Sequence, residues 1–155
     1  MGKNNNYYRQ CREELSPKPS REAAAERIGS GMTEDILEKI ETGIRNPRPE
    51  EIMDMAKAYN HPELCNYYCT HECAIGKTSV PPIEGKKNIA TITLEILSSM
   101  NYLEETKNRL VDITQDEDLT PDEYEDMKKI RDRLKKMAGS IANLQLWVDQ
   151  KLGSE

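Results

Sequence analysis

Cys65, Cys69, His71 and Cys73 form the pattern Cys-x3-Cys-x-His-x-Cys. Cys65 and Cys69 are four positions apart, so on a helix they share one face. His71 and Cys73 follow where such a helix can end, which would let four soft or borderline ligands converge. Thiolate and imidazole suit zinc in a tetrahedral site, and zinc held there would lock this segment onto the elements before it. The spacing is tighter than the two separated pairs of most zinc motifs and fits no iron–sulfur pattern. The alternative is packing. Cysteine is among the most frequently buried residues, and Leu64, Cys65, Tyr68 and Cys69 suit ordinary core positions. Cys11, on the core side of the first helix, is open to both readings.

Little else in the chain offers reaction chemistry. The two histidines are His61 and His71, so a Ser-His-acid or His-based acid–base site would need one of them in a deep pocket. His61 precedes Pro62 at a helix start, a solvated or capping position. Gly76-Lys77-Thr78 resembles the end of a phosphate-binding loop, but His71 stands where the first glycine is required and no strand-to-helix setting surrounds it. A binding protein is expected, not an enzyme.

Composition sets the scale. At 155 residues, 36% hydrophobic and 32% charged with no Phe, the chain suits helices with one apolar stripe each around a modest core. The alternating β-branched runs of a sheet are missing, so the fold class is all-α. No apolar stretch is long enough to cross a bilayer and Met1 to Asn6 is polar. A cytoplasmic protein with reduced thiols and no membrane partner is expected. Net charge is −6. Up to Pro62 there are ten Lys/Arg against eleven Asp/Glu, and beyond it twelve against seventeen. Neither half carries the basic surplus of non-specific nucleic-acid binding, so any DNA contact must come from a local patch.

Three regions position these residues: 1–62, a Cys-rich connector at 63–85, and 86–155. In the first, five short helices are read. Tyr7 to Glu14 stops before Pro17 and Pro19. Ser20 caps Arg21 to Ile28, which Gly29 and Gly31 end. Thr33 caps Glu34 to Thr42, closed by Gly43. Pro49 opens Glu50 to Tyr59 from the favoured first-turn position, and Pro62 starts a fifth helix that enters the cysteine segment. Ala24, Ala25 and Ile28 should pack inward with Leu37, Ile40, Ile52, Met55 and Ala56, and Ala25 is small where two helices cross closely. The Pro81-Pro82 pair excludes a helix and marks an extended connector.

The order and spacing of Cys11-Arg12-Glu13-Glu14, Ser20 through Gly29, Ile36 through Gly43, Arg45-Asn46-Pro47 and Glu50 through Ala56 resemble the XRE, or lambda-repressor-like, helix-turn-helix family. Ile40-Glu41-Thr42-Gly43 followed by Arg45-Asn46-Pro47 is the most specific element. The resemblance covers about the first 62 residues, and the whole chain, with Leu64 through Cys69, looks like a member with a helical C-terminal extension. It implies a five-helix domain whose third helix enters the major groove of double-stranded DNA. By position, Thr33, Glu34, Asp35 and Glu38 would face bases, and Arg21, Lys39, Arg45 and Asn46 would face phosphates. Three of the base-facing positions are carboxylates, which accept from cytosine N4 and repel phosphates. The Gly29-Ser30-Gly31 turn is about two residues longer than the family's usual turn.

After residue 85 two long helices are expected. Apolar residues recur at Ile89, Ile92, Ile96, Met100, Leu103, Leu110 and Ile113, then at Met127, Leu134, Met137, Ile141, Leu144 and Val148, the last stretch in heptad steps. Thr120 and Glu123 make a capping box with Pro121 in the first turn. The pair should fold back as an antiparallel hairpin, and spare apolar residues at Leu94, Leu97, Ile130 and Trp147 point to a homodimer, the alternative being packing of the hairpin on the N-terminal module. The turn from Asp112 to Glu123 has the acidic spacing of a calcium loop. Glu117 stands where that loop needs glycine, so acidic N-terminal capping explains the run better. Two function classes follow: a dimeric DNA-binding transcriptional regulator, or a protein-interaction module on the same scaffold.

Overall fold

The computed structural model describes residues 6–83, 87–115 and 119–152. Asp116 to Asp118, at the centre of the acidic turn, lie outside the described residues, as does the 84–86 part of the connector. The described residues are helical and contain no strand. No helix among them is long and apolar enough to cross a membrane. The chain divides into two units, Met1–Val80 and Pro81–Glu155.

The first unit contains α1 (Tyr7–Glu13), α2 (Arg21–Ile28), α3 (Glu34–Glu41), α4 (Pro49–Tyr59), α5 (Glu63–His71) and the short α6 (Gly76–Ser79). Local chemistry sets their starts. The side chains of Asn6, Ser20 and Thr33 accept from the backbone N–H groups of Arg9, Ala23 and Ile36, relieving donors that a helix N-terminus leaves unpaired. Pro49 occupies the first turn of α4, and the Glu51 carboxylate accepts from the Arg48 N–H at 2.8 Å. Asn60 ends α4 in the left-handed region, which asparagine tolerates better than most residues. Between α2 and α3, Gly29, Ser30 and Gly31 all have positive φ. Glycine adopts that conformation freely; Ser30 does so against its Cβ.

All of the residues expected inside this unit are buried: Ala24, Ala25, Ile28, Leu37, Ile40, Ile52, Met55 and Ala56. Tyr8, Cys11, Tyr59 and Leu64 join them in one core. Leu64 draws α5 into the unit, and a methyl group at Gly76 would overlap the Cys69 carbonyl, so α6 packs directly on α5. The division thus falls after Val80 instead of Pro62. The cysteine segment belongs to the first unit because α5 fills its core, a long-range contact that composition does not reveal.

The second unit contains α7 (Ile89–Ile113) and α8 (Pro121–Leu152). Asn88 caps α7, accepting from the Thr91 N–H. At the start of α8 the Thr120 N–H and hydroxyl both donate to Glu123. The helices run antiparallel, since Arg109 bonds Asp126, Arg133 lies over the Tyr102 ring and Ser140 bonds Glu95. The interface departs from the expected seam. Ile92, Ile113 and Ile130 are buried, whereas Met100, Leu134 and Ile141 are exposed. Ser140 and Gly139 are buried instead, and a Cβ at Gly139 would stand 2.9 Å from the Pro82 carbonyl oxygen. Close approach of the 81–83 segment and the polar pairs along the seam turn α8 by a fraction of a turn from the heptad register. In a straight helix with 3.6 residues per turn, a 3.5-residue stripe drifts off one partner face.

Candidate DNA-reading face and cysteine segment

The α3 helix carries its apolar side inward through Leu37 and Ile40, with Ile36 half-buried. One face in and one out follows from the 3.6-residue period. Its other side is open: Thr33, Glu34, Asp35, Glu38 and Lys39 are all exposed. Asn46, in the turn after α3, is exposed too, while Arg21 and Arg45 are half-buried. The expected base-facing positions therefore share one exposed helix, with the expected phosphate-facing residues on α2, α3 and the following turn.

Electrostatically this face is not a bare basic patch. Arg21 donates through Nε to Glu41 at 2.9 Å and through Nη1 to Glu38 at 3.1 Å. Arg45 grips Glu51 with both Nη atoms, at 3.0 and 2.7 Å. Lys39 Nζ lies 2.6 Å from Asp35. Each cation expected at phosphates is thus bonded to a carboxylate of its own unit. Burial pushes the Glu51 carboxyl up, but bonds from Arg45 and the Arg48 backbone outweigh it and hold the group below its ordinary value. The Arg45 guanidinium is raised by its bond to Glu51.

Behind the face lies a charge network that sequence reasoning missed. Arg12 of α1 donates to Glu41 through Nε at 2.6 Å and Nη2 at 2.9 Å, and to the Pro19 carbonyl at 2.9 Å. The Glu41 side chain is fully buried and that of Arg12 is 6% exposed. One carboxylate therefore takes three N–H bonds from two guanidinium groups, the charge-assisted, forked geometry that arginine suits best. Donating to Glu41 raises the Arg12 guanidinium further above its already high value. The pair ties α1 to the C-terminal end of α3, and through Arg21 it fixes the start of α2. Asn6 adds a bond from its Nδ2 to the Ile40 carbonyl at 2.8 Å. The available signal was a lone Glu at a position that the helical pattern of α3 turns inward, where an ion needs a partner.

In the cysteine segment, Cys65, Cys69 and Cys73 are half-buried and His71 is exposed. The four do not converge: among the described residues no three His, Cys, Asp or Glu side chains form a group that could hold a metal ion. His71 is two positions past Cys69, about 200° around a helix. Its ring stacks on Tyr67 at 4.3 Å, and Nδ1 lies 3.0 Å from the Tyr67 carbonyl oxygen. The Cys73 Sγ accepts from the Gly76 N–H at 3.4 Å. Burial, with Cys69 nearby, pushes the Cys65 thiol above its ordinary value, the opposite of an activated thiolate. Tyr7, Tyr8 and Tyr67 cluster between α1 and α5, and the Tyr8 hydroxyl donates to Glu72 at 2.6 Å. Cys11, at 1% exposure, is part of the core. No family model, curated protein or solved structure matches the chain.

Proposed function

We propose that the first unit is a DNA-binding module of the XRE, lambda-repressor-like type and that the chain acts as a dimeric transcriptional regulator. The observation carrying this reading is α3 itself: a capped helix, anchored by Leu37, Ile40 and Glu41, whose outer residues from Thr33 to Lys39 are all exposed. In this reading α3 lies in the major groove, with Thr33, Glu34, Asp35 and Glu38 at base edges, and carboxylates there select cytosine N4 donors. Arg21, Lys39, Arg45 and Asn46 hold phosphates, and the three cations exchange their carboxylate partners for phosphate oxygens on binding. That exchange lowers affinity and sharpens discrimination against non-cognate duplexes, because a poor fit does not compensate for the broken pairs.

A dimer is supported by the second unit, where Leu94, Leu97 and Met100 on α7 and Leu134 and Ile141 on α8 remain exposed. Two-fold proteins pair with two-fold operators. Sedimentation equilibrium should give a dimer, and Leu94→Glu with Leu97→Glu a monomer.

A second reading is a protein-interaction module, favoured by the acidic exposed side of α3 and by Ile44, which is 76% exposed just beyond it. Selection of genomic fragments on the purified full-length chain separates the two. The regulator reading predicts enrichment of a palindromic sequence, salt-sensitive binding to it, and loss of binding in Arg45→Glu. No enriched sequence, with no retardation of any duplex at low salt, refutes the regulator.

A further inference from the structure

The second unit contains a cavity of about 380 Å³ between its helices, lined from α8 by Lys135 and Lys136, from α7 by Glu95, and from the preceding segment by Lys87. Ser140 and Asn143, 4% and 6% exposed, supply its most buried polar groups. Glu95 is already satisfied: one oxygen accepts from Lys87 at 2.8 Å and the other from the Ser140 hydroxyl at 3.1 Å. Lys135 and Lys136 make no ion pair with any described residue, and the Asn143 carboxamide makes no hydrogen bond to one. In this acidic chain, residues 128–136 hold six Lys/Arg against one Asp. Lys128, Lys129 and Arg131 bond Glu125, Asp126 and Asp132, and Arg133 lies over the Tyr102 ring, so the two lysines without an ion pair fall at the cavity.

We propose that this cavity binds a small organic phosphate monoester. A phosphate monoester carries about −1.5 to −2 charge at neutral pH, matching two uncompensated ammonium groups, and has three acceptor oxygens. Those oxygens take one donor each from Lys135, Lys136 and the Asn143 carboxamide. A carboxylate, with a single charge, leaves one lysine uncompensated. The volume lies in the range of small-molecule sites, roughly 300–1,000 Å³, and leaves room for an organic part.

The test uses the full-length chain, with AMP and glucose 6-phosphate as probes, their parents adenosine and glucose, and inorganic phosphate. Nitrogen–proton correlation spectra follow the Asn143 side-chain amide, and calorimetry gives affinity. At least one monoester should shift the Asn143 signals saturably while its parent does not. Lys135→Ala with Lys136→Ala should weaken that binding about tenfold or more, and Lys128→Ala should leave it unchanged. Lys135 and Lys136 are exposed and Lys128 half-buried, and circular dichroism verifies that helicity is retained. Absence of a saturable shift with either monoester up to about 10 mM, equal binding of the parent, or undiminished binding by the double variant overturns the proposal. Equal affinity for inorganic phosphate overturns the assignment to monoesters.

Discussion

Replacing Glu41 with leucine strands the Arg12 guanidinium in the core of the first unit. Glu41 accepts two bonds from Arg12 and one from Arg21, and its side chain is fully buried. Arg21, 27% exposed, turns to water and to Glu38 when Glu41 is lost. Arg12, 6% exposed, keeps only the Pro19 carbonyl and a distant contact with Glu13 at 3.9 Å. The penalty therefore sits on Arg12. Breaking a buried ion pair from one side costs about 3–5 kcal/mol, because the remaining charge stays desolvated. With a urea slope of about 2 kcal/mol per molar, the unfolding midpoint of the first unit should fall by about 2 M. Far-ultraviolet circular dichroism reads it, since the only tryptophan, Trp147, lies in the second unit. Adding Arg12→Met to Glu41→Leu removes the stranded charge and should recover most of the loss, as apolar replacements of buried pairs commonly do. A Glu41→Leu cost below about 1 kcal/mol, or a double variant no more stable than the single one, refutes the reasoning.

Further expectations are as direct. Gly29→Ala and Gly31→Ala should each cost about 1–2 kcal/mol through backbone strain alone, since no atom lies within 4 Å of the added methyl. Ser30→Gly should raise the urea midpoint. In the second unit, Ile130→Ala should cost about 2–5 kcal/mol, and Leu134→Ala or Ile141→Ala roughly 0.5 kcal/mol or less in the monomer; the reverse order would restore the heptad seam. Bonds from Arg9 and Lys18 hold Glu13 down to about 2, and Arg109 and Lys87 lower Asp126 and Glu95. Carboxylates lowered in the folded state stabilise it fully above the unfolded range near 4 and lose that contribution as pH falls through their folded values. The thermal midpoint should therefore decline on acidification from about pH 5 to pH 2. Arg109→Ala should flatten the part due to Asp126.

Helix positions in the first unit were legible because their causes are local. Ser20, Thr33 and Pro49 act within one turn of themselves, and Leu37, Ile40, Ile52 and Met55 recur at helical spacing. The same logic gave the start of α8 through Thr120, Pro121 and Glu123. It failed where a residue's partner is remote. Arg12 and Glu41 lie 29 positions apart, and nothing near either one announces the other. Arg21 was read as a phosphate contact from family position, with no sign of Glu41, 20 positions on, that holds it. For Cys65, Cys69, His71 and Cys73, ligand chemistry was visible but direction was not, and stacking on Tyr67 orients His71.

Sequence by itself determined the all-helical class, the helix ends and the inward faces of the first unit, since hydrogen-bond capping and a 3.6-residue period operate over a few neighbouring residues. Tertiary structure alone decided the rotation of α8, the membership of α5 in the first core and the pairing of Arg12 and Arg21 with Glu41. Those outcomes depend on which surfaces meet across long stretches of chain, and short-range patterns carry no record of that choice.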